Sequence, residues 1–334
     1  MIKYLLNWFV YAVNGFWLLF RLYEQKKFMK RILNSDLAPF IEHHDESLDE
    51  RDFSKIRKYY GLAVPGVLGE AFALLRGKKM TLSERSALTY LGGLTGLADD
   101  FFDKTQTRDQ HILSLIKDEK DVNIRGSNEE LFMTLYRKAL SFSIHREEII
   151  TRCLEVFEAQ IDSKKQSSPS ITQDEIKNIT YRKGGSSLVF YRAAMDHSLD
   201  SEEMKMLHAL GSLFQLENDI FDVYKDHKNN IQTLVTTETR MQDLQKKYRS
   251  LIREFIQSVD QLAYSSKNKK QFIRLILVVI SRGCVALRQL KKNQKKSQQV
   301  FAIDQYERKD LICDMEKLPN IFRTTHYFAK VNPR

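Results

Sequence analysis

The sequence predicts an all-α fold. The 334 residues include only 13 glycines and 5 prolines, so long stretches contain none of the residues that interrupt helices. These stretches are rich in Leu, Lys, Glu and Gln, and no run of hairpin turn dipeptides separates them. Hydrophobic residues make up 43% of the chain, which is enough for a substantial core. We therefore expect one helical domain preceded by an N-terminal extension.

Charge and cysteine content narrow the class of protein. The net charge is +10, and a basic surface suits a nucleic acid, an anionic membrane or an anionic substrate. No zinc-finger, aromatic RNP or recognition-helix signature accompanies the charge, so we expect no nucleic-acid partner. The three cysteines, Cys153, Cys284 and Cys313, are isolated in the sequence. An odd and sparse set fits a reducing compartment, so we expect a cytoplasmic protein.

An apolar, aromatic-rich block runs from Tyr4 to Phe20, near the lower length limit for a spanning helix. Its polar residues recur at steps of four or seven and so share one helix face; they are Lys3, Asn7, Asn14 and Arg21. Four basic residues follow, at Lys26, Lys27, Lys30 and Arg31. Three interpretations stay open: a helix packed on the domain, a peripheral helix on the inner face of a membrane through residues 1–31, and a spanning helix.

The order of elements follows from caps and breakers. We predict an N-terminal helix within residues 1–35 and a main domain over residues 53–330. Thr81 or Ser83 is a candidate N-cap, with Glu84 in the first turn. The predicted helices cover about 53–61, a segment ending at Arg76 after the break at Pro65-Gly66, about 83–103, 107–118, 127–141 and 144–165, a helix from Thr172 interrupted at Gly184-Gly185, and about 201–226, 236–265, 269–292 and 300–317.

The stretch YLGGLTGLADDFFDKTQ ends an apolar helix with three carboxylates. Asp99 and Asp103 share a helix face, and Asp100 lies about 100° to the side. Like charges at this spacing repel, and apolar neighbours raise the cost because the carboxylates lose water. Mg²⁺ would offset this repulsion, since it takes one or two carboxylates and completes its shell with water and phosphate. We therefore predict Asp99 and Asp103 as metal ligands, with Asp100 in support.

A second acidic edge lies in FQLENDIFDVYKDHK, again on an apolar background. Asn218, Asp222 and Asp226 fall at steps of four on one face, and Asp219 flanks them. These four residues are the predicted metal ligands of the second edge. One acidic cluster alone is typical of a solvated helix face, whereas two embedded in apolar helices indicate a shared function.

The two motifs resemble those of the class I isoprenoid synthase superfamily, which comprises trans-prenyl diphosphate synthases and class I terpene cyclases. DDFFD matches the first aspartate-rich motif, and FQLENDIFD resembles FQxxDDxxD with Asn218 in place of the first Asp. NDIFDVYKD also resembles the cyclase triad (N/D)DxxSxxxE, whose three ligand places fall on Asn218, Asp222 and Asp226. The matched region covers roughly Met80 to Asn230. The resemblance implies a single-domain helical bundle around a central apolar cavity, which binds several Mg²⁺ ions with a prenyl diphosphate.

Between the motifs lies YRKGGSSLVFYR. The resemblance implies that Lys183 binds the diphosphate, and it makes Arg182, Gly184, Arg192 and Lys225 further candidates. We expect Gly184-Gly185 to break its helix, because a comparable break in the cyclases presents backbone groups to the diphosphate. The late Arg–Tyr pair of the cyclases has no sure counterpart; the candidates are Tyr306, Arg308, Arg323 and Tyr327.

Two elements that serve a second diphosphate in chain-elongating synthases are missing. RGKKMTLSE has no Arg-Pro pair and lies too close to Asp99, and KTQTRDQ has no paired arginines. We therefore expect a terpene synthase that ionises one prenyl diphosphate and cyclises or quenches the carbocation. A trans-prenyl diphosphate synthase and a non-catalytic, synthase-like partner subunit stay as alternatives, and a homodimer is compatible with each.

Overall fold

The structure is a computed structural model that describes residues 2–103, 109–297 and 300–332, apart from the side chains of residues 2–5, 102 and 103. Within these ranges the chain consists of helices, turns and loops and contains no strand. The predicted all-α class is therefore confirmed. The isoprenoid-synthase bundle and its central apolar cavity stay predictions, as do the domain limits at 1–35 and 53–330.

The helices vary widely in length. They are α1 (Ile2–Glu42), α2 (Glu50–Ser54), α3 (Gly61–Ala63), α4 (Glu70–Arg76), α5 (Leu82–Asp103), α6 (Asp109–Ile116), α7 (Gly126–Phe142), α8 (Arg146–Ser163), α9 (Gln173–Arg192), α10 (Ser201–Lys228), α11 (Met241–Asp260), α12 (Ser266–Lys296), α13 (Arg308–Leu311) and α14 (Leu318–Val331). Two π segments, Lys55–Tyr60 and Val64–Gly69, and two 3₁₀ turns, Lys164–Ser167 and Ile303–Gln305, complete the set.

Two compact units divide the chain. The first comprises Phe16–Phe157 and Phe190–Leu199. Its core includes α5 and α7, where the rings of Phe101 and Phe132 meet edge to face with centroids 5.1 Å apart. Apolar side chains at helical spacing on both helices are buried, which removes their surface from water and holds α5 in place; they include Leu88, Leu91, Leu131 and Leu135.

The second unit comprises the described parts of Met1–Gly15, Glu158–Val189 and Asp200–Arg334. Here α10 packs with α11 and α12, and α12 packs with α14. The Tyr248 hydroxyl on α11 donates to the Ile280 carbonyl of α12 at 2.7 Å. The start of α1 belongs to this unit, because Tyr11 meets Phe328 of α14 edge to face at 5.3 Å.

The predicted caps hold the starts of two helices. The Glu84 amide donates to Thr81 Oγ1 at 3.1 Å, and the Thr81 amide donates to Glu84 Oε2 at 2.7 Å. Thr172 and Glu175 form the same reciprocal pair before α9, at 3.2 and 2.8 Å. Each pair satisfies amides that a helix N-terminus would otherwise leave without partners. The prediction that Thr81 caps α5 is confirmed.

The predicted break at Pro65-Gly66 is wrong, because the backbone stays helical from Glu50 to Arg76. Pro65 lies in the first turn of the π segment Val64–Gly69. A π segment shifts hydrogen bonding by one residue, and this shift accommodates a residue that has no amide hydrogen. An added Cβ at Gly66 would lie 2.9 Å from the Leu22 side chain, so this glycine serves close packing with α1.

The predicted interruption at Gly184-Gly185 is also wrong, since α9 runs without a break from Gln173 to Arg192. The glycines instead let α9 approach α10 within the second unit. An added Cβ at Gly184 would lie 2.0 Å from the Gly211 carbonyl oxygen, and one at Gly211 would lie 2.3 Å from the Gly184 oxygen. An added Cβ at Gly185 would lie 2.1 Å from His208 Nδ1. Tertiary packing therefore outweighs the low helix propensity of glycine here.

The helix predicted at 300–317 is wrong as well. That stretch contains the 3₁₀ turn Ile303–Gln305 and the single turn of α13, and the longer helix is α14. Extended backbone angles interrupt the predicted helix at three residues, Tyr306, Glu307 and Ile312. Before them, the amide of buried Phe301 donates to the distant Thr239 carbonyl at 2.9 Å. Pro319 lies in the first turn of α14, where proline suits a helix start.

Helix α1 continues seven residues beyond the predicted limit of 35, to Glu42. Among the helices of the described residues, none combines enough length and apolar character to cross a bilayer.

Replacement of Gly184 by alanine tests the close crossing of α9 and α10. We expect Gly184→Ala to lower the free energy of unfolding by about 2–3 kcal/mol, because the new methyl group overlaps backbone atoms that cannot rotate away. Gly15→Ala is the matched control, since no atom lies within 4 Å of its added Cβ, and it should be neutral or stabilising by up to about 1 kcal/mol. Urea unfolding measures both. Equal effects of the two substitutions would contradict the crossing.

Candidate functional site

The first acidic cluster lies at the C-terminal end of α5, in the first unit. Asp99 is half-buried, and Asp100 is only 3% exposed. The side chain of Asp103 lies outside the described residues, so the predicted pairing of Asp99 and Asp103 stays a prediction. A helix C-terminus disfavours negative charge, and burial adds to the cost, so these carboxylates need cationic partners.

Lys55 supplies one such partner. Its Nζ lies 3.0 and 3.2 Å from the two carboxylate oxygens of Asp100 and 3.2 Å from Asp52 Oδ1. Burial lowers the pKa of Lys55, but its bonds to Asp100 and Asp52 outweigh burial and leave that pKa raised. Asp100 is therefore neutralised by the protein itself, which suits a positioning role better than direct metal binding.

Tyr191, near the end of α9, joins this cluster within the first unit. Its hydroxyl lies 2.8 Å from Thr95 Oγ1, and its side chain is buried. Burial raises the pKa of Tyr191, and the charge of Asp99 raises it further. The phenol therefore keeps its proton and places a neutral hydroxyl near Asp99.

The second acidic cluster lies on α10, in the second unit. Asp219 is 4% exposed, and its Oδ1 accepts from Gln215 Nε2 at 2.9 Å. Its Oδ2 is buried and accepts no hydrogen bond of good geometry among the described residues. Burial raises the pKa of Asp219 to about 6, although the nearby Thr180 hydroxyl lowers that pKa. A buried carboxylate oxygen without a well-formed hydrogen bond is costly, so this position would gain from a proton or a cation.

The pKa of Asp226 is raised as well. Burial, the larger cause, and the nearby charges of Asp219 and Asp222 together raise its pKa to about 7. Asn218 is exposed, and its Nδ2 lies 3.4 Å from Asp222 Oδ2, a weak contact. The structure thus brings Asp219, Asp222 and Asp226 into one electrostatic cluster at the end of α10.

Lys183 lies close to this cluster. Its charge lowers the pKa of both Asp219 and Asp226, although no ion pair joins it to either residue in the described part of the chain. Because α9 and α10 cross at Gly184 and Gly211, Lys183 is held near the carboxylates while its amine stays available. This arrangement suits an anion that bridges the lysine and a metal ion.

The other cations predicted from the same segment are engaged elsewhere. Arg182 is exposed and pairs with Asp162 and with Glu158, the latter at 2.7 Å. Arg192 is buried, and its guanidinium donates to the carbonyls of His197 and Ser198 at 3.0 and 3.3 Å. Gly184 remains a predicted binding residue, but it has lost the helix break on which that prediction was based.

A surface cavity of about 370 Å³ opens beside Asp222 in the second unit. Three of the side chains that line it are cationic, namely Lys225, Lys228 and Arg308. The Arg308 guanidinium lies 5.9 Å and the Lys228 amine 6.0 Å from the centre of the Tyr224 ring. A polyanion in this cavity would meet three positive charges next to a predicted metal ligand.

No three His, Cys, Asp or Glu side chains stand together as a ready metal site within the described ranges. The α10 residues nevertheless fit Mg²⁺ in donor chemistry, because carboxylate and amide oxygens are the hard ligands that this ion prefers. Mg²⁺ commonly takes one or two carboxylates and completes its shell with substrate phosphates. The Asp219 oxygen that accepts no well-formed hydrogen bond is consistent with such a site.

Sequence reasoning missed two contributors and left a third uncertain. Lys55 pairs with Asp100 from 45 positions away, and no spacing rule indicates that pairing. Tyr191 lies eight residues after Lys183 in the segment YRKGGSSLVFYR. Its apolar neighbours there indicate a residue of the hydrophobic core. Arg308 was only one of several late candidates, and its place beside Asp222 depends on the fold of residues after α12.

Comparisons with known proteins add no family assignment. No protein-family model matches the chain, and no curated protein matches it in sequence. The membership of the class I isoprenoid synthases therefore stays a hypothesis that rests on the motifs and the geometry described above.

The raised pKa of Asp226 predicts a pH-dependent stability. In the folded state the Asp226 carboxyl keeps its proton up to about pH 7, whereas the ordinary pKa of this side chain is 3.8. The free energy of unfolding of the metal-free protein should therefore fall as pH rises from about 4 to about 7. Asp226→Asn removes this penalty, so its Tm should exceed the parent's by about 2–6 °C at pH 8 and by much less at pH 4.

Differential scanning calorimetry at the two pH values measures this difference. Asp260→Asn is the matched control, because Asp260 is an exposed carboxylate in the same unit, and it should shift Tm equally little at both. A Tm difference for Asp226→Asn that does not change with pH would contradict the raised pKa.

Proposed function

We propose that the chain is a Mg²⁺-dependent class I terpene synthase, which ionises a prenyl diphosphate, cyclises or quenches the carbocation and releases diphosphate. The observation that carries the proposal is the end of α10. There, Asp219 and Asp226 have raised pKa values and lie near Lys183, and Asp222 lines a cavity together with three further cations. Carboxylates that need a cation, together with cations that need an anion, fit a metal–diphosphate complex.

The proposed metal ligands are the oxygens of Asn218, Asp219, Asp222 and Asp226, and the first motif adds Asp99 and Asp103. Bound Mg²⁺ would neutralise the charge that develops on the leaving diphosphate. Asp100 is assigned a positioning role because Lys55 already neutralises it. Neighbouring carboxylates that share a cation avoid the mutual repulsion that raises the pKa of Asp226.

The protein's own cations act on the leaving group. Lys183 would contact the diphosphate near α9, and Lys225, Lys228 and Arg308 would contact it in the cavity beside Asp222. As the carbon–oxygen bond breaks, its electron pair passes to the diphosphate oxygen, and these positive charges stabilise the product. The allylic carbocation then closes a ring or takes up water, and it loses a proton.

The missing arginine pairs favour one diphosphate substrate over two. Chain elongation would need a second anionic pocket, and KTQTRDQ after the first motif lacks the arginines for it. A prenyltransferase is therefore the second candidate. It differs from the terpene synthase in that it needs a homoallylic C5 co-substrate.

The proposal is tested by incubating the full chain with C10 to C35 prenyl diphosphates and Mg²⁺, with and without the C5 co-substrate. We expect Mg²⁺-dependent diphosphate release and hydrocarbon or alcohol products, detected by mass spectrometry, without the C5 partner. Asp222→Ala and Lys183→Ala should each lower kcat/KM by about 10²–10³-fold, because each removes charge stabilisation of the leaving group.

Lys177→Ala is the matched control for Lys183, since Lys177 is an exposed lysine on the same helix, and it should keep full activity. Circular dichroism verifies that each variant is folded. Products that appear only with the C5 partner would favour the prenyltransferase, and full activity of Asp222→Ala would contradict both enzymes.

A further inference from the structure

Helix α1 presents an apolar face to solvent. Its exposed residues recur every three or four positions, as the residues of one helix face do. They include Phe16, which is 74% exposed, and Phe20, which is 56% exposed. Over the described side chains of residues 6–23, the exposed large apolar residues are Leu6, Phe9, Val13, Phe16, Leu19, Phe20 and Tyr23. A soluble surface helix normally shows the opposite pattern, with its apolar stripe turned inward.

Two polar residues of α1, Arg21 and Gln25, point toward the protein. In the first unit, Arg21 pairs with Glu70, whose side chain is 6% exposed. Gln25 is fully buried, donates to Thr89 Oγ1 at 2.9 Å and accepts from Arg85 at 2.7 Å. These bonds fix the rotation of α1 about its axis, and the exposed residues Phe16, Phe20 and Tyr23 lie on the opposite side of the helix.

The same outward face becomes basic one turn later. Lys26, Lys27, Lys30 and Arg31 are all exposed. The Lys27 amine lies 4.3 Å from the centre of the Tyr23 ring, which joins the apolar and basic parts directly. We call the exposed residues of α1 from Phe16 to Arg31 the α1 surface; they are Phe16, Leu19, Phe20, Tyr23, Lys26, Lys27, Lys30 and Arg31.

A second exposed apolar patch lies within the second unit. Leu318, Ile321 and Phe322 of α14 are 69%, 41% and 58% exposed. The Phe322 ring is 6.2 Å from that of Trp8 on α1. Beside it, Asn7 donates to the Ala329 carbonyl at 3.1 Å, so here too a polar residue of α1 turns inward.

We infer that the α1 surface docks on a bilayer that contains anionic lipids. Aromatic side chains suit the headgroup boundary, and a basic cluster adjoining them is attracted to anionic lipid. A second copy of the chain suits this surface less well, because it would bring further positive charge to a protein with a net charge of +10. The inference goes beyond the proposed function, and vesicle binding can be measured without any turnover.

Vesicle flotation tests the inference. The full chain is mixed with vesicles of phosphatidylcholine alone, or with vesicles in which about a third of the lipid is anionic phosphatidylglycerol. We expect recovery with the anionic vesicles, and loss of that recovery at high salt. Phe16→Glu with Phe20→Glu should weaken binding at least about tenfold. Replacement of the four basic residues by Gln should weaken it about fivefold per charge.

Two control variants match these changes in chemistry but lie elsewhere in the first unit. Tyr59→Glu replaces an aromatic residue that is 64% exposed, and Lys78→Gln with Lys79→Gln removes two exposed lysines. Both should bind vesicles like the parent. The inference is overturned if the parent does not float with anionic vesicles, or if the Phe16 and Phe20 changes leave flotation intact. It is also overturned if they abolish self-association in sedimentation velocity while vesicle binding persists.

Discussion

The crossing of α9 and α10 at Gly184 and Gly211 sets the geometry of the candidate site. Each glycine lies where the other's carbonyl leaves no room for a Cβ, so the two backbones approach more closely than any other pair of residue types would allow. One residue before Gly184 lies Lys183, and two turns after Gly211 lies Asp219. Their electrostatic coupling follows from this contact, and so does the nearness of Lys183 to Asp226.

The two acidic clusters differ in how their charge is balanced. In the first unit, Asp100 is buried but lies 3.0 Å from Lys55, so the protein supplies the counter-charge. In the second unit, Asp219 is equally buried, yet one of its oxygens accepts no hydrogen bond of good geometry in the described part of the chain. The incompletely balanced carboxylate of Asp219 is the reason for our proposal that a cation binds there.

Local sequence signals predicted local structure well. The caps at Thr81 and Thr172 mark true helix starts, since a cap depends on residues only three positions apart. Gly184-Gly185 and Pro65 misled the prediction because their tolerance inside helices depends on contacts with distant segments or on a change of hydrogen-bond pattern. Residues 300–317 likewise contact a distant segment, since the amide of Phe301 bonds to the carbonyl of Thr239, and no local pattern indicates that contact.

The candidate site residues divide in the same way, into those that local sequence signals identify and those that depend on distant contacts. The carboxylates of both motifs and Lys183 could be named from sequence, because helical periodicity and a family resemblance place them. Lys55 and Tyr191 could not, since only the packing of α5 against other segments makes them partners of Asp100 and Thr95. Sequence periodicity predicts one polar face of α1, and Asn7 and Arg21 of the predicted set contact the protein. Which face meets the protein depends on Glu70, Thr89 and Arg85, and sequence spacing does not indicate that.

Calorimetric titration tests the central claim, that the end of α10 holds a metal ion and a diphosphate together. Mg²⁺ is titrated into the full chain with and without a non-hydrolysable bisphosphonate, and the bisphosphonate is titrated with and without Mg²⁺. The account predicts that each ligand tightens the other by the same factor, as linkage requires. It also predicts that Asp222→Ala abolishes the coupling. Absent or independent binding of the two ligands, or coupling that survives in Asp222→Ala, would contradict the account.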